Sequence, residues 1–160
     1  MNMTRRAILG ATVFAPVALA GCATLSGNPN QIAAQVLNDA NLIASGLANA
    51  LPGLQASKVV PAGVMAQAQA LVGKIQASAA SMSATISKNS AQPIVTQIEQ
   101  DVNAFAALLA GLPLPPPYAQ VVQAAVVLLP VIEIGVGLAV PAGASHAMTP
   151  AEARLVLKAA

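Results

Sequence analysis

Proline recurs in this chain at the head of one apolar, helix-spaced segment after another: at Pro29, Pro61, Pro93 and Pro150, with a cluster at Pro113, Pro115, Pro116 and Pro117. A proline has no amide hydrogen for an interior helical turn. It fits the first turn, where that hydrogen has no partner in any case. A chain punctuated in this way reads as separate helices joined by short connectors. The all-α class follows: a bundle of about four helices plus a short C-terminal helix, in a single domain over residues 29–160.

The segments bear this out one by one. Asn28-Pro29 reads as an N-cap and first-turn proline. Ile32, Val36, Ala40, Ile43, Leu47 and Leu51 follow at helical spacing, while Gln31, Gln35, Asn38, Asn41, Ser45 and Asn49 fall mostly on other faces. Pro52-Gly53 is expected to end or bend this helix. The second opens near Pro61, carries Val64, Ala68, Leu71, Ile75, Ala79, Met82 and Ile86, and is expected to end at Lys88-Asn89-Ser90. The third opens near Pro93 with Ile94, Ile98, Val102, Phe105, Leu109 and Leu112, and Glu99 and Asp101 are placed on its wetter side. The proline cluster then makes a stiff connector. Thr149-Pro150-Ala151-Glu152 is the clearest helix start: a capping threonine, a first-turn proline and a glutamate completing a capping box. The chain has no convincing internal repeat.

The segment 118–140 differs from the others. Val121, Val122, Val126, Val127, Leu128, Leu129, Val131, Ile132, Ile134, Val136 and Leu138 leave it almost no polar face, so it is buried either in protein or in lipid. Pro130 is expected to kink it, and Glu133 lies beside that kink. A central acid costs about 2.5–3.5 kcal/mol on insertion, and each Val, Leu or Ile returns about 0.3–0.6 kcal/mol. Insertion is not compelled, and the other three apolar stripes need a partner. Burial within the bundle is therefore expected, with residues 23–160 soluble, helical and largely monomeric.

Residues 1–22 read as a leader, with 1–21 the expected signal peptide. Both arginines of the basic end, Arg5 and Arg6, precede an uncharged apolar run over 7–18, and small residues follow up to Cys22. That run is shorter than the about 20 residues of a permanent span. Leu19-Ala20-Gly21-Cys22 resembles the lipobox of bacterial lipoproteins at all four positions. The resemblance implies cleavage between Gly21 and Cys22, a lipid on the Cys22 sulfur, and a membrane as partner through that lipid. Thr4-Arg5-Arg6-Ala7-Ile8-Leu9 resembles a twin-arginine export signal, with Arg5 and Arg6 as the recognised pair; Ile8 stands where that family prefers Phe. Ala23 is not the aspartate associated with inner-membrane retention, so the resemblance implies the outer membrane, facing the periplasm. Residues 22–28 are then a lipidated tether. The mature chain resembles small helical lipoproteins of alphaproteobacteria and their prophages, through the stretch 37–47 and its Ala-rich helices. No catalytic residue follows from that resemblance.

Composition narrows function by exclusion. The chain is 56% hydrophobic and only 8% charged, unlike a disordered segment. Its net charge of +2 is carried by Arg5 and Arg6 in the leader, so no basic patch remains for nucleic acid. One cysteine excludes a disulfide scaffold. The single histidine, His146, stands in an Ala/Gly/Ser loop and reads as a solvent-exposed side chain. Ser145 beside it makes no triad, and Ser57, Ser78, Ser81, Ser83 and Ser87 lack a nucleophile-elbow context. Glu133 reads as facing the bundle surface or bonding near Pro130, the alternative being an acid at membrane depth. Glu99 and Asp101, two residues apart, do not face each other on a helix. Met65, Met82 and Met148 read as core filling. No metal site, no cofactor motif and no enzyme chemistry is expected. The functional expectation is a structural or interaction role in the cell envelope. The alternatives are a membrane-active, lysis-associated lipoprotein using 118–140 and a carrier of an apolar ligand between helices.

Overall fold

The computed structural model describes residues 29–83, 88–139 and 148–160. Five helices occur in it: α1 Pro29–Ser57, α2 Ala62–Ser83, α3 Lys88–Leu109, α4 Pro116–Gly135 and α5 Pro150–Ala159. No strand occurs among the described residues. The protein is an all-α bundle with a short C-terminal helix.

Helix adjacency follows the chain. α1 packs on α2, α2 on α3, α3 on α4, and α4 closes the ring on α1. The connectors at 58–61 and 110–115 are short, which makes the helices they join antiparallel neighbours. α5 lies against both α1 and α4. That placement explains why α4 has so little polar face: a fifth helix joins α1 and α3 in covering it.

Each helix contributes to one core. Ile43, Leu47 and Leu54 from α1 meet Val72 and Ile75 from α2, Ile98 and Phe105 from α3, Leu128 and Ile132 from α4, and Leu157 from α5, all fully buried. Burial of such a side chain is worth about 1.5–3 kcal/mol. Small residues bring backbones close. A Cβ on Gly135 of α4 would overlap Val36 Cγ2 on α1, so a side chain there requires Val36 or the helix crossing to shift.

The helix ends have identifiable stops. After α4, Gly137 takes φ +80°, the Leu138 N–H donates to the Glu133 carbonyl at 2.9 Å, and the Gly137 N–H donates to the Ile134 carbonyl at 3.0 Å. That is a Schellman motif, with glycine in the left-handed position it requires. At the end of α1 the corresponding left-handed residue is Lys58, at φ 57°. The capping box of α5 forms as its sequence predicts: the Glu152 N–H donates to Thr149 Oγ1 at 3.3 Å, and the Thr149 N–H donates to Glu152 Oε2 at 2.7 Å.

Several helix boundaries and two side chains, Asp101 and Glu133, differ from the sequence reading. α1 runs through Pro52 to Ser57, because Leu54 is a core residue and burial holds the extra turn. α3 begins at Lys88, so Lys88-Asn89-Ser90 opens a helix where the sequence suggested an end. Ala91 and Val95 extend its buried stripe across Pro93, and the Gln92 side chain donates to the Val136 carbonyl at 3.0 Å, so the turn before the proline has tertiary partners. α4 starts two residues before Tyr118, at Pro116, and stops at Gly135, short of Val140. Asp101 is not on a wet side: it is 5% exposed and accepts a hydrogen bond from Gln97 Nε2 at 3.0 Å.

Candidate functional site

A polar groove of about 1060 Å³ runs across the N-terminal half of α1, walled by the end of α2 and by α5. Its floor is set by helical spacing. Gln31, Gln35, Asn38, Asn41 and Ser45 recur at intervals of three and four residues, so they line one side of α1 while Val36, Ala40 and Ile43 turn into the core. Gln76 and Ala80 come from α2, Arg154 and Lys158 from α5. The carboxamides of Gln31, Gln35, Asn38, Asn41 and Gln76 make no hydrogen bond within the described residues. On α3, by contrast, the amides of Gln92 and Gln97 are both engaged.

One edge of the groove is fixed by an ion pair. Arg154 Nε donates to Asp39 Oδ1 and Arg154 Nη2 to Asp39 Oδ2, both at 2.7 Å, in the parallel two-bond geometry that suits guanidinium and carboxylate. The Asp39 side chain is 4% exposed and that of Arg154 23% exposed. The bonds to Asp39 push the guanidinium above its ordinary value despite partial desolvation. This pair joins residues 115 positions apart and clamps α5 onto α1. Sequence reasoning missed it. The available signal was an acid, Asp39, at a core-facing spacing between Val36 and Ile43, which requires a cation from elsewhere in the chain.

A second polar feature joins α3 and α4. Glu133, expected at the bundle surface or hydrogen-bonded near Pro130, is instead a buried residue, and burial, with a further contribution from the charge of Glu99, holds its carboxyl above the usual carboxylate range. The charge of Glu99 on α3 thus acts on Glu133 of α4. The two carboxylates belong to different helices, Glu99 to α3 and Glu133 to α4. No group of three or more metal-ligating side chains occurs among the described residues.

The other candidates fall as follows. Met65 and Met82 are buried in the core, and Met148 packs against it. Ser57 Oγ donates to the Leu54 carbonyl and Ser81 Oγ to the Ser78 carbonyl, both local helix bonds. Arg5, Arg6, Gly21, Cys22, Ser87, Ser145 and His146 lie outside the described residues. A smaller hollow of about 450 Å³ sits at the α1–α2 turn, around Lys58, Pro61 and Met65. No protein-family model, curated protein or solved structure matches this chain.

Proposed function

We propose that the chain is a lipid-anchored helical-bundle protein of the bacterial cell envelope that acts by binding, without catalysis. The observation that carries this reading is the position of α4. By length and hydropathy (20 residues, 1.6) α4 is the described helix that could cross a membrane. It packs instead against α1, α3 and α5, with Ala124, Ala125, Leu128 and Ile132 at 0% exposure. With that helix committed to the core, membrane attachment falls to the lipid that the lipobox implies on Cys22. Twin-arginine export read from Arg5 and Arg6, cleavage between Gly21 and Cys22, and outer-membrane sorting from Ala23 complete the address. The tether 22–28 spans at most about 25 Å, so the end of the bundle bearing the α1 N-terminus stays near the bilayer.

Metabolic labelling with a fatty-acid probe tests the anchor. Label is expected on the wild-type chain and absent from Cys22→Ser, which accumulates as uncut precursor. Label retained by Cys22→Ser removes the reading. The export route is read separately: replacing Arg5 and Arg6 with lysine keeps the charge but loses guanidinium geometry, and export should stop. A membrane-active, lysis-associated role is the second reading. It is favoured by the hydropathy of α4 and by Ile134, which is 49% exposed on that helix.

A further inference from the structure

The α1 groove has the makings of a recognition surface, and its chemistry selects a ligand class. A carboxamide offers a donor and an acceptor together, the same pair that a peptide unit presents. Gln31, Gln35, Asn38 and Asn41 supply four of them on one side of a helix, all without a partner within the described residues. At 1.5 Å rise per residue they are spaced about 6, 4.5 and 4.5 Å apart, over about 15 Å. An extended chain advances about 3.3 Å per residue and turns like groups to one edge at twice that distance. The row therefore spans the length of about four to five residues of extended peptide, with the Gln31–Gln35 interval near one repeat of its edge and flexible side chains bridging the shorter ones.

Charge adds a second requirement. Asp39 is fully engaged by Arg154, which leaves Lys158 as the cation of the groove without a carboxylate partner among the described residues. The other charged groups lining the groove, Asp39 and Arg154, are paired with each other. A sugar ligand would want an aromatic platform, and none lines the groove: Phe105 is 1% exposed in the core, and Tyr118 lies against Gly53 at the far end of α1. A lipid surface would want several cations, each worth about 1 kcal/mol, and one lysine does not supply that.

We propose that this groove binds an extended peptide segment bearing a carboxylate, with the α1 carboxamides bonding its backbone and Lys158 pairing with its acid. The proposal rests on the reading of the protein as a binding module and names the partner of that module.

The test uses the full mature lipoprotein in detergent micelles, with fluorescence anisotropy of labelled acetyl-(Ala-Glu)3-amide and acetyl-(Ala-Gln)3-amide. The acidic peptide is expected to bind more tightly. Asn38→Ala with Asn41→Ala should weaken both peptides about thirtyfold, from two lost hydrogen bonds. Both positions are exposed on a helix, where alanine is well tolerated, so helicity is preserved. Lys158→Gln should remove the preference for glutamate and leave the glutamine peptide unchanged. Wild-type affinity in the double-alanine variant overturns the proposal. So does failure of both peptides to bind, with glycerol 3-phosphate, a lipid headgroup fragment, binding in their place pointing to a lipid ligand. Fatty-acid labelling of Cys22 on the same samples reads the anchor independently, so failure of the groove and failure of the anchor are distinguishable.

Discussion

Replacing Arg154 with methionine removes the guanidinium while keeping most of the aliphatic bulk that rests on α1. It leaves Asp39, 4% exposed at its side chain, with no cation. Two unit charges about 4 Å apart attract by about 4 kcal/mol at an effective dielectric of 20, and desolvation of both groups offsets much of that in the intact pair. Losing one partner is a different matter, because the buried carboxylate keeps its desolvation penalty and loses the compensation. Buried pairs broken this way cost about 3–5 kcal/mol. Asp39 borders the open groove, where water can approach, so the expected loss is at the low end, about 3 kcal/mol. Asp39→Ala should cost less, about 1.5 kcal/mol, since the Arg154 side chain is 23% exposed and can turn its charge into the groove. The double variant should lose no more than Arg154→Met alone, giving a coupling of at least about 1.5 kcal/mol. Urea unfolding followed by circular dichroism measures all four species. A loss under about 1 kcal/mol for Arg154→Met, or a larger loss for Asp39→Ala than for Arg154→Met, would refute the clamp.

Glu133→Gln should raise the melting temperature near pH 7 and leave it unchanged near pH 4. The raised carboxyl contributes fully below its ordinary value of 4.5, and that contribution fades as pH rises through the elevated value; equal shifts at both pH values would sink this account. Gly135→Ala should destabilise by about 1–3 kcal/mol, because a Cβ there drives Val36 off its rotamer or pushes α4 from α1; chemical denaturation reads it. Lys58→Gly should stabilise by about 0.5–1 kcal/mol, since the left-handed backbone at φ 57° strains lysine and not glycine, and a fall in the urea midpoint would contradict it.

Local signals carried most of the fold. The Thr149–Glu152 box and the stripes on α1, α2 and α3 depend on neighbours within a few residues, and they form where the sequence places them. Boundaries were less legible where a proline met a core residue. At Pro52 and Pro93 the local rule says stop, while Leu54, Ala91 and Val95 continue the buried surface, and packing decides. The apolar character of 118–140 was visible, but its cause was not: α5 covers α4, and no periodicity within α4 announces a partner beyond its own C-terminal connection. The same distance hid the site. Gln31, Gln35, Asn38 and Asn41 read as an ordinary polar face until α5 brings Arg154 and Lys158 to its edge and turns that face into a groove. Asp101 shows the limit from the other side, as a charged residue whose burial rests on Gln97, one turn earlier on its own helix.

The central claim is that α4 belongs to the protein core and that the helical bundle needs no lipid around its helices. Sedimentation and circular dichroism of residues 23–160, without leader, lipid or detergent, test it directly. A soluble, helical species sedimenting at the mass of one chain is the expected result. A fragment that aggregates in buffer and becomes helical and dispersed only in detergent would contradict the account and hand α4 to the membrane.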